Sequence, residues 1–230
     1  MNYRIILVLI VVCLFATGLG AMNFISAKGL NLEDAYKEGN VVITQQTSAG
    51  TIPHEVTIKN KGKNPVNVPK GTILSSKDSQ NLVIARDEVV SPNTNITVPA
   101  YCIEPDQEAV ENKKLAVSGQ APQVITEIAS SSNPENPSDA LNAQLKIWTI
   151  VGGPDFNIYT GEVAAVSQKQ EISFYDIKGN MSNAKIEVMT KFNFTADQMS
   201  NININSSILN QSQSFTEQLM YWFNSLGLNL

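Results

Sequence analysis

Apolar and polar residues alternate in a series of short segments through the first half of the chain. Val, Ile and Thr dominate the segments, and Gly, Pro, Asn and Lys turns separate them: VVITQQ, HEVTIKN, NPVNVPKGTIL, NLVIARDEVV and NITVPAYCIE. In HEVTIKN, Val56 and Ile58 face one way while Thr57 faces the other, as in a half-buried strand. The pattern predicts an antiparallel, Ig-like β-sandwich over residues 40–104.

Two local signals predict a turn and a helix. Residues 60–64 form a polar stretch, and we expect the two strands that flank it to pair through it as a hairpin. Before the first strand, residues 32–37 can form a short helix, because Asn31 is a good amino-terminal cap and Gly39 is a good stop.

From residue 107 the pattern changes to the spacing of amphipathic helices. The predicted elements are helices in DQEAVENKKLAV and APQVITEIASS, a Pro-Asn-Ser loop, a helix in SDALNAQLKIWTIV, an irregular segment, a hairpin in QKQEISFYDIKGNMSNAKIEVMTKF and a closing helix in SFTEQLMYWFNSLGLNL. Ser138 caps the third helix, and Gly152 and Gly153 end it. The closing helix offers apolar side chains to a core or a partner: Leu219, Met220, Trp222, Phe223 and Leu226.

The first 27 residues are strongly apolar. Arg4 is their only early charge, and the pattern is typical of a signal peptide or of a single membrane anchor. We therefore divide the chain into a signal peptide or anchor (1–27), a β-sandwich domain (28–104) and a helical and mixed α+β region (105–230). The predicted fold class is mixed and mainly β, with an amino-terminal hydrophobic helix.

Composition narrows the range of partners. The 230 residues carry a formal net charge of −5 and contain no basic stripe, so we expect no nucleic-acid partner. The leader predicts an extracellular or cell-surface location, secreted or membrane-anchored. Five Asn-x-Ser/Thr sequons are candidate glycosylation sites: Asn95, Asn180, Asn193, Asn205 and Asn210. An Asn- and Ser-rich chain also produces such triplets by chance, so their use stays open.

Residues of the kinds that most enzymes and metal sites need are few. His54 is the only histidine, and no nucleophile motif accompanies it, so we expect it to be a surface strand residue. One histidine and one cysteine outside the leader cannot form an ordinary zinc site, and we find no calcium or phosphate-binding loop. We therefore assign no catalytic residue, no metal and no cofactor, and we predict that the chain is not an enzyme.

A lone thiol and a buried amide are the unusual features. Cys102 is the one cysteine outside the leader, because Cys13 lies in the apolar run as a membrane-embedded hydrophobe. In ALNAQLKIW, Gln144 projects from an apolar arc that includes Leu145 and Trp148, where an unpaired carboxamide costs about 1–3 kcal/mol. A Cys102 thiolate held against this amide could expel ammonia and form an internal thioester.

These elements resemble a known family. AYCIEPD and AQLKIW are similar to the Tyr-Cys and Gln-x-x-Ile/Val-Trp elements of thioester domains in bacterial surface adhesins. The resemblance implies Cys102 as the thioester sulfur, Gln144 as the acyl donor, and Tyr101 and Trp148 as a sheltering pocket. NKGKNPVNVPKGT also resembles segments of secreted Ig-like sandwich modules. Both resemblances imply a noncatalytic cell-envelope protein with an adhesive or structural role. Its expected partners are a cell-envelope or host-surface protein or glycan, and the membrane.

Several alternatives stay open. Cys102 can be an idle buried hydrophobe or form an intermolecular disulfide, and Gln144 can bond to backbone groups. An assembly subunit of a surface structure would retain the amino-terminal hydrophobic helix. An enzyme with an unrecognised site would need a cleft that contains polar groups drawn from Glu104, Asp106 and Asp155.

Overall fold

A computed structural model describes residues 29–152 and 156–195. The strands in this part of the chain are β1 (Leu30–Asn31), β2 (Val41–Gln45), β3 (His54–Asn60), β4 (Val66–Val68), β5 (Thr72–Ser75), β6 (Leu82–Ile84), β7 (Glu88–Val90), β8 (Asn95–Cys102) and β9 (Lys114–Gln120). The helices are α1 (Leu32–Lys37), α2 (Gln123–Ser131), α3 (Pro137–Val151), α4 (Gly161–Lys169) and α5 (Phe174–Phe192).

Six antiparallel strands close into a barrel in the order β2-β3-β8-β6-β5-β9. β3 pairs with β2 on one side and with β8 on the other, and β9 closes the ring by pairing with both β2 and β5. Closure gives each strand two neighbours, so the barrel lacks the exposed edges of an open sheet. The barrel takes β9 from beyond residue 104, where the predicted sandwich domain ends.

A small second sheet and a short helix lie beside the barrel. β4 is its central strand, with β1 parallel on one side and β7 antiparallel on the other. α1 follows β1 directly and buries Leu32 and Ala35, and the Asn31 side chain accepts a hydrogen bond from the Glu33 amide at 3.3 Å. The predicted helix and its cap are confirmed.

Both faces are buried in β6 and at the carboxyl-terminal end of β8, because the helices cover the outside of this part of the barrel. Leu82 and Cys102 belong to one apolar cluster, whereas the adjacent Val83 and Tyr101 belong to another. The second cluster joins the barrel to α2, α3 and the end of α5. α3 contributes to both, with Trp148 in the first and Ile147 in the second.

The Ig-like sandwich predicted over residues 40–104 is wrong. Each predicted segment does contain a strand, and Val56 and Ile58 do share a buried face, but the strands divide between a closed barrel and a small sheet. Alternation of apolar and polar residues fixes which face a strand buries, but it does not fix which strand becomes its neighbour.

The predicted hairpin through residues 60–64 is also wrong, since β3 and β4 lie in different sheets. The Asn60 side chain explains the difference. Its amide donates to the carbonyl of Asn64 at 2.8 Å and to that of Val90 at 3.2 Å, and its oxygen accepts from the Gly62 amide at 2.8 Å. These bonds hold the chain in a turn that leads away from the barrel toward the small sheet.

The second half contains both confirmed and wrong predictions. α2 and α3 are confirmed as helices, although Asn136 caps α3 in place of the predicted Ser138, its oxygen accepting from the Ser138 and Asp139 amides. The segment predicted as a helix from residue 107 instead supplies strand β9, and the segment predicted as a hairpin is helix α5. α4 occupies part of the segment predicted to be irregular.

Two predictions concern residues outside the described part: the amino-terminal hydrophobic segment and the closing helix with Trp222. Within residues 29–152 and 156–195, none of the helices combines the length and the apolar character that a membrane span requires. The predicted division into domains stays a prediction.

Candidate functional site

Chemically versatile side chains gather at one end of the barrel. His54 begins β3, Gln45 ends β2 and Cys102 ends β8, and the antiparallel pairing brings these strand ends together. Gln80 precedes β6, whose Leu82 pairs with Cys102. We call His54, Gln45, Gln80 and Glu162 the polar cluster; all four are fully buried.

His54 is the centre of the polar cluster, so its predicted exposure is wrong. It shares the buried face of β3 with Val56 and Ile58, and its ring reaches four polar side chains. Nδ1 lies 3.0 Å from the Thr47 hydroxyl and 3.4 Å from the Gln45 amide nitrogen. The Gln45 amide nitrogen can only donate, so Nδ1 is an acceptor, and we assign the Thr47 hydroxyl as a second donor to it.

The other ring nitrogen faces a carboxylate. His54 Nε2 lies 3.2 Å from Glu162 Oε1, so we assign a ring hydrogen to Nε2, on the side that faces the carboxylate. The Gln80 amide group lies 2.6 Å from Nε2. Two N–H donors cannot bond each other, so we assign the Gln80 amide with its oxygen toward His54.

Glu162 connects helix α4 to two loops of the barrel. Its Oε1 accepts from the Gly50 amide at 2.7 Å, and its Oε2 accepts from the Ala109 amide at 3.0 Å. Both oxygens of this buried carboxylate therefore accept a backbone hydrogen bond, and His54 Nε2 lies close to one of them, which meets the requirement that a buried polar group be hydrogen-bonded. Sequence reasoning missed Glu162, because no local pattern indicates that a residue at a helix start is buried inside a barrel.

Two glycines allow helix α4 to approach the barrel loops closely enough for Glu162 to reach them. Gly50 (φ +80°) and Gly161 (φ +61°) both have left-handed backbone, which favours glycine. A Cβ at Gly50 would collide with the Ala165 carbonyl, and one at Gly161 with the Pro105 carbonyl. α4 therefore approaches the barrel loops more closely than any larger residue would permit.

The structure places Gln144 directly against Cys102, but through the backbone. Gln144 Oε1 accepts from the Cys102 amide at 2.8 Å, and Gln144 Nε2 donates to the Cys102 carbonyl at 2.7 Å. The two bonds anchor α3 to the end of β8. Gln144 thus bonds to backbone groups, which is one of the alternatives that the sequence left open.

The Cys102 thiol is in a setting that suppresses ionisation. Burial raises its pKa far above the ordinary value, and the negative charge of Glu162 raises it further. The Trp148 indole N–H lies beside the sulfur and partly offsets the rise, although it forms no hydrogen bond of normal geometry. A thiol is nucleophilic as its thiolate, so this environment opposes attack on the Gln144 amide.

Tyr101 faces away from the thiol. It lies in the second apolar cluster, and its hydroxyl is 2.7 Å from the Ser132 hydroxyl at the end of α2. Burial raises the Tyr101 pKa, and the hydrogen bond to Ser132 partly offsets this. Tyr101 and Trp148 therefore lie on opposite sides of β8 and do not form the predicted pocket around Cys102.

The remaining predicted residues are scattered. Asn95, Asn180 and Asn193 are exposed, and Asn205 and Asn210 lie outside the described residues, so glycosylation stays a prediction. Of the carboxylates proposed for an enzyme cleft, Asp155 lies outside the described residues and Asp106 is exposed. Burial raises the pKa of Glu104, which accepts from the Asn81 amide.

An exposed groove lies apart from the polar cluster. It has a volume of about 420 Å³ between α2, α3 and α5, and we call it the helical groove. Ile128, Ala143, Ile186 and Phe192 supply apolar surface, and Ile186 is 62% exposed. Ion pairs lie along its rim, Lys146–Glu187 at 2.7 Å and Lys191–Glu127 at 3.1 Å.

In the described part of the chain, no group of three or more His, Cys, Asp or Glu side chains could hold a metal ion.

Comparison with known proteins gives one match. The family model of ARPP-1, described as the ARG and Rhodanese-Phosphatase-superfamily-associated Protein domain, matches residues 8–166. No curated protein and no solved structure matches the chain. The matched range includes the whole barrel and the polar cluster, and it ends within α4, after Glu162.

The match corrects the identity and role inferred from sequence. The matching family is neither the thioester adhesins nor the secreted Ig-like modules, so both predicted relations are wrong. The surface-adhesion role, the thioester and the surface-assembly alternative rested on them and are wrong as well. The extracellular location and the partners expected from the sequence stay predictions. Since the match covers well over half of its 230 residues, the chain belongs to the ARPP-1 family.

Proposed function

We propose that this chain is a noncatalytic binding domain whose helical groove receives a partner protein of the rhodanese-phosphatase superfamily. The family description supplies the partner class, since it names ARPP-1 domains as associated with that superfamily. The observation that carries the proposal is the separation of the two sites. The polar cluster is buried and internally bonded, whereas the exposed groove is lined by apolar and ion-paired side chains.

The chemistry of the polar cluster supports a structural role. A general base must reach the proton that it removes, but His54 is fully buried and its ring nitrogens are engaged by Thr47 and Glu162. Cys102 is held in the form that does not attack electrophiles. Neither His54 nor Cys102 lines the helical groove.

The helical groove has the composition of an anchoring site. Interfaces derive most of their binding energy from a few apolar or aromatic side chains that insert into pockets surrounded by a polar rim. Ile186 and Phe192 provide the apolar contact, and the two rim ion pairs present charges of both signs. A partner that inserts one large apolar side chain between polar neighbours would complement this groove.

The test uses the full chain and a rhodanese-phosphatase superfamily protein encoded in the same genome. Ile186→Asp should weaken the complex at least tenfold in a calorimetric or interferometric binding assay, because it places a charge in the apolar part of the groove. Val89→Asp is the matched control, since Val89 is 57% exposed on the distant strand β7. Absence of binding by the unmodified chain, or equal losses in both variants, would overturn the proposal.

A further inference from the structure

A second groove, on another face of the barrel, is rich in hydrogen-bond donors. It has a volume of about 390 Å³ over strands β5 and β9 and the loop that follows β5, and we call it the hydroxyl groove. Its polar lining consists of Ser75, Ser76, Lys77, Asn81, Lys114 and Ser118. The chain as a whole carries net negative charge, yet this lining contains no carboxylate.

The strands bring the groove's hydroxyl groups together. Ser75 ends β5 and Ser118 lies in β9, the strand paired with it, and their hydroxyls bond each other. One hydrogen serves that bond, which leaves the second available to a ligand. The register shift between Ile73 and Leu74 marks a β-bulge beside this pair, a feature often found where a strand redirects side chains next to a site.

The loop after β5 adds oriented donors. The Asn81 side-chain oxygen accepts from the Ser76 amide at 3.3 Å, so this bond does not use the NH₂ group of Asn81. The Ser76 hydroxyl oxygen accepts from the Asp78 amide at 3.2 Å and keeps its own hydrogen. The loop bonds thus use acceptor atoms and leave hydrogens available.

Two lysines provide positive charge. Lys77 and Lys114 are exposed at the groove, and neither belongs to an ion pair among the described residues. The nearby carboxylates are engaged elsewhere: Asp78 faces Lys113 at 3.8 Å, and Glu104 accepts from the Asn81 backbone amide. The positive charges of Lys77 and Lys114 can therefore pair with a negatively charged ligand.

We propose that the hydroxyl groove binds a small molecule through a phosphate monoester group. A phosphate is rich in acceptors and negatively charged, and Lys77, Lys114 and the serine hydroxyls present the matching donors and charge. The volume lies within the range of about 300–1,000 Å³ typical of small-molecule sites, and the Tyr36 ring and Ala116 offer apolar contact for the remainder of the ligand. This activity goes beyond partner binding at the helical groove.

Titration of the full chain tests the site with two probes, inorganic phosphate and phenyl phosphate. We expect phenyl phosphate to bind more tightly, and we expect Lys77→Gln and Lys114→Gln each to weaken it at least fivefold in calorimetry. Lys63→Gln is the matched control, because Lys63 is an exposed lysine outside the groove and should leave binding unchanged. Higher salt should weaken binding, since exposed charges are screened.

Three results would overturn the proposal: no binding of either probe, equal losses in the control and the groove variants, or binding of inorganic phosphate alone. Nuclear magnetic resonance of the unmodified chain gives independent localisation. Phenyl phosphate should shift the amide signals of Ser75, Ser76 and Ser118, and shifts confined to other strands would contradict the site.

Discussion

At the scale of single residues, burial decides what each polar side chain can do. Gln144 has the same carboxamide that a thioester would require, but both of its polar ends are occupied by the backbone of Cys102. An amide that satisfies a strand end in this way contributes to stability, because the Cys102 backbone groups would otherwise be buried without partners. Contact between two residue types therefore does not by itself indicate their reaction.

The Cys102 thiol should make stability depend on pH in the alkaline range. An unfolded thiol ionises near pH 8.5, whereas burial and Glu162 raise the pKa of the folded thiol well above that value. Above about pH 8.5 the unfolded state therefore binds fewer protons. The free energy of unfolding should fall as pH rises, by at most about 1.4 kcal/mol per pH unit from this group.

Urea unfolding between pH 7 and 9.5 measures this effect. Cys102→Ala should be less stable at neutral pH, but its stability should decrease less steeply over the alkaline range. The comparison of slopes separates ionisation from loss of packing, since a packing defect is the same at each pH. Parallel pH profiles for the two proteins would refute the assignment.

At the scale of elements, glycines at helix starts and helix centres have opposite requirements. Gly161 begins α4 with left-handed backbone against the Pro105 carbonyl, whereas Gly179 lies within α5 with nothing within 4 Å of an added Cβ. Gly161→Ala should destabilise the protein by about 1–3 kcal/mol, because it combines backbone strain with a collision. Gly179→Ala should stabilise it by about 0.5–1 kcal/mol through the unfolded chain and helix propensity.

Chemical unfolding of both variants checks this contrast. The two substitutions add the same methyl group, so their difference isolates local geometry from composition. A destabilised Gly179→Ala together with a neutral Gly161→Ala would contradict the placement of α4 against the barrel loops.

Local signals predicted elements well where caps and alternation were complete. Asn31 identified α1, and the spacing of Val56 and Ile58 identified the buried face of β3. The same spacing also places His54 on the buried face; the surface position predicted for it rests on the absence of a nucleophile motif, which does not bear on burial. For α5, Ser173 and Asp176 form a cap that marks the start of a helix within the segment predicted as a hairpin.

Long-range pairing could not be read from the sequence. β9 begins with Lys114 and otherwise carries mostly small residues, and the segment that contains it was compatible with an amphipathic helix. It becomes a strand because β2 and β5 leave a gap for it in the barrel. Glu162 is likewise defined by loops that are distant along the chain. Closure of a barrel is a property of all its strands together, which no window of neighbouring residues contains.

At the scale of the whole molecule, Glu162 connects the helical half to the barrel. Glu162→Gln keeps the shape of the side chain but replaces one acceptor oxygen with an NH₂ group that faces backbone donors. We expect a loss of about 1–3 kcal/mol in the free energy of unfolding, as when a buried donor loses its acceptor. Hydrogen exchange at the Gly50 and Ala109 amides should accelerate, because these amides lose their charged acceptor.

Glu127→Gln is the control for this prediction. Glu127 is likewise a carboxylate with a partner, Lys191, but its side chain is 45% exposed. Its replacement should cost less than about 1 kcal/mol, as surface pairs usually do. Similar losses for the two variants, or unchanged exchange at Gly50, would contradict the connecting role of Glu162.

The reach of Glu162 has a consequence for biosynthesis. The strands of the barrel have all left the ribosome once residue 120 has emerged. Glu162, which accepts hydrogen bonds from the Gly50 and Ala109 amides, emerges later. A nascent chain halted between these points carries His54 without its acidic partner. The barrel should therefore mature only after α4 is exported from the ribosomal tunnel, which makes completion of this fold a late event in synthesis.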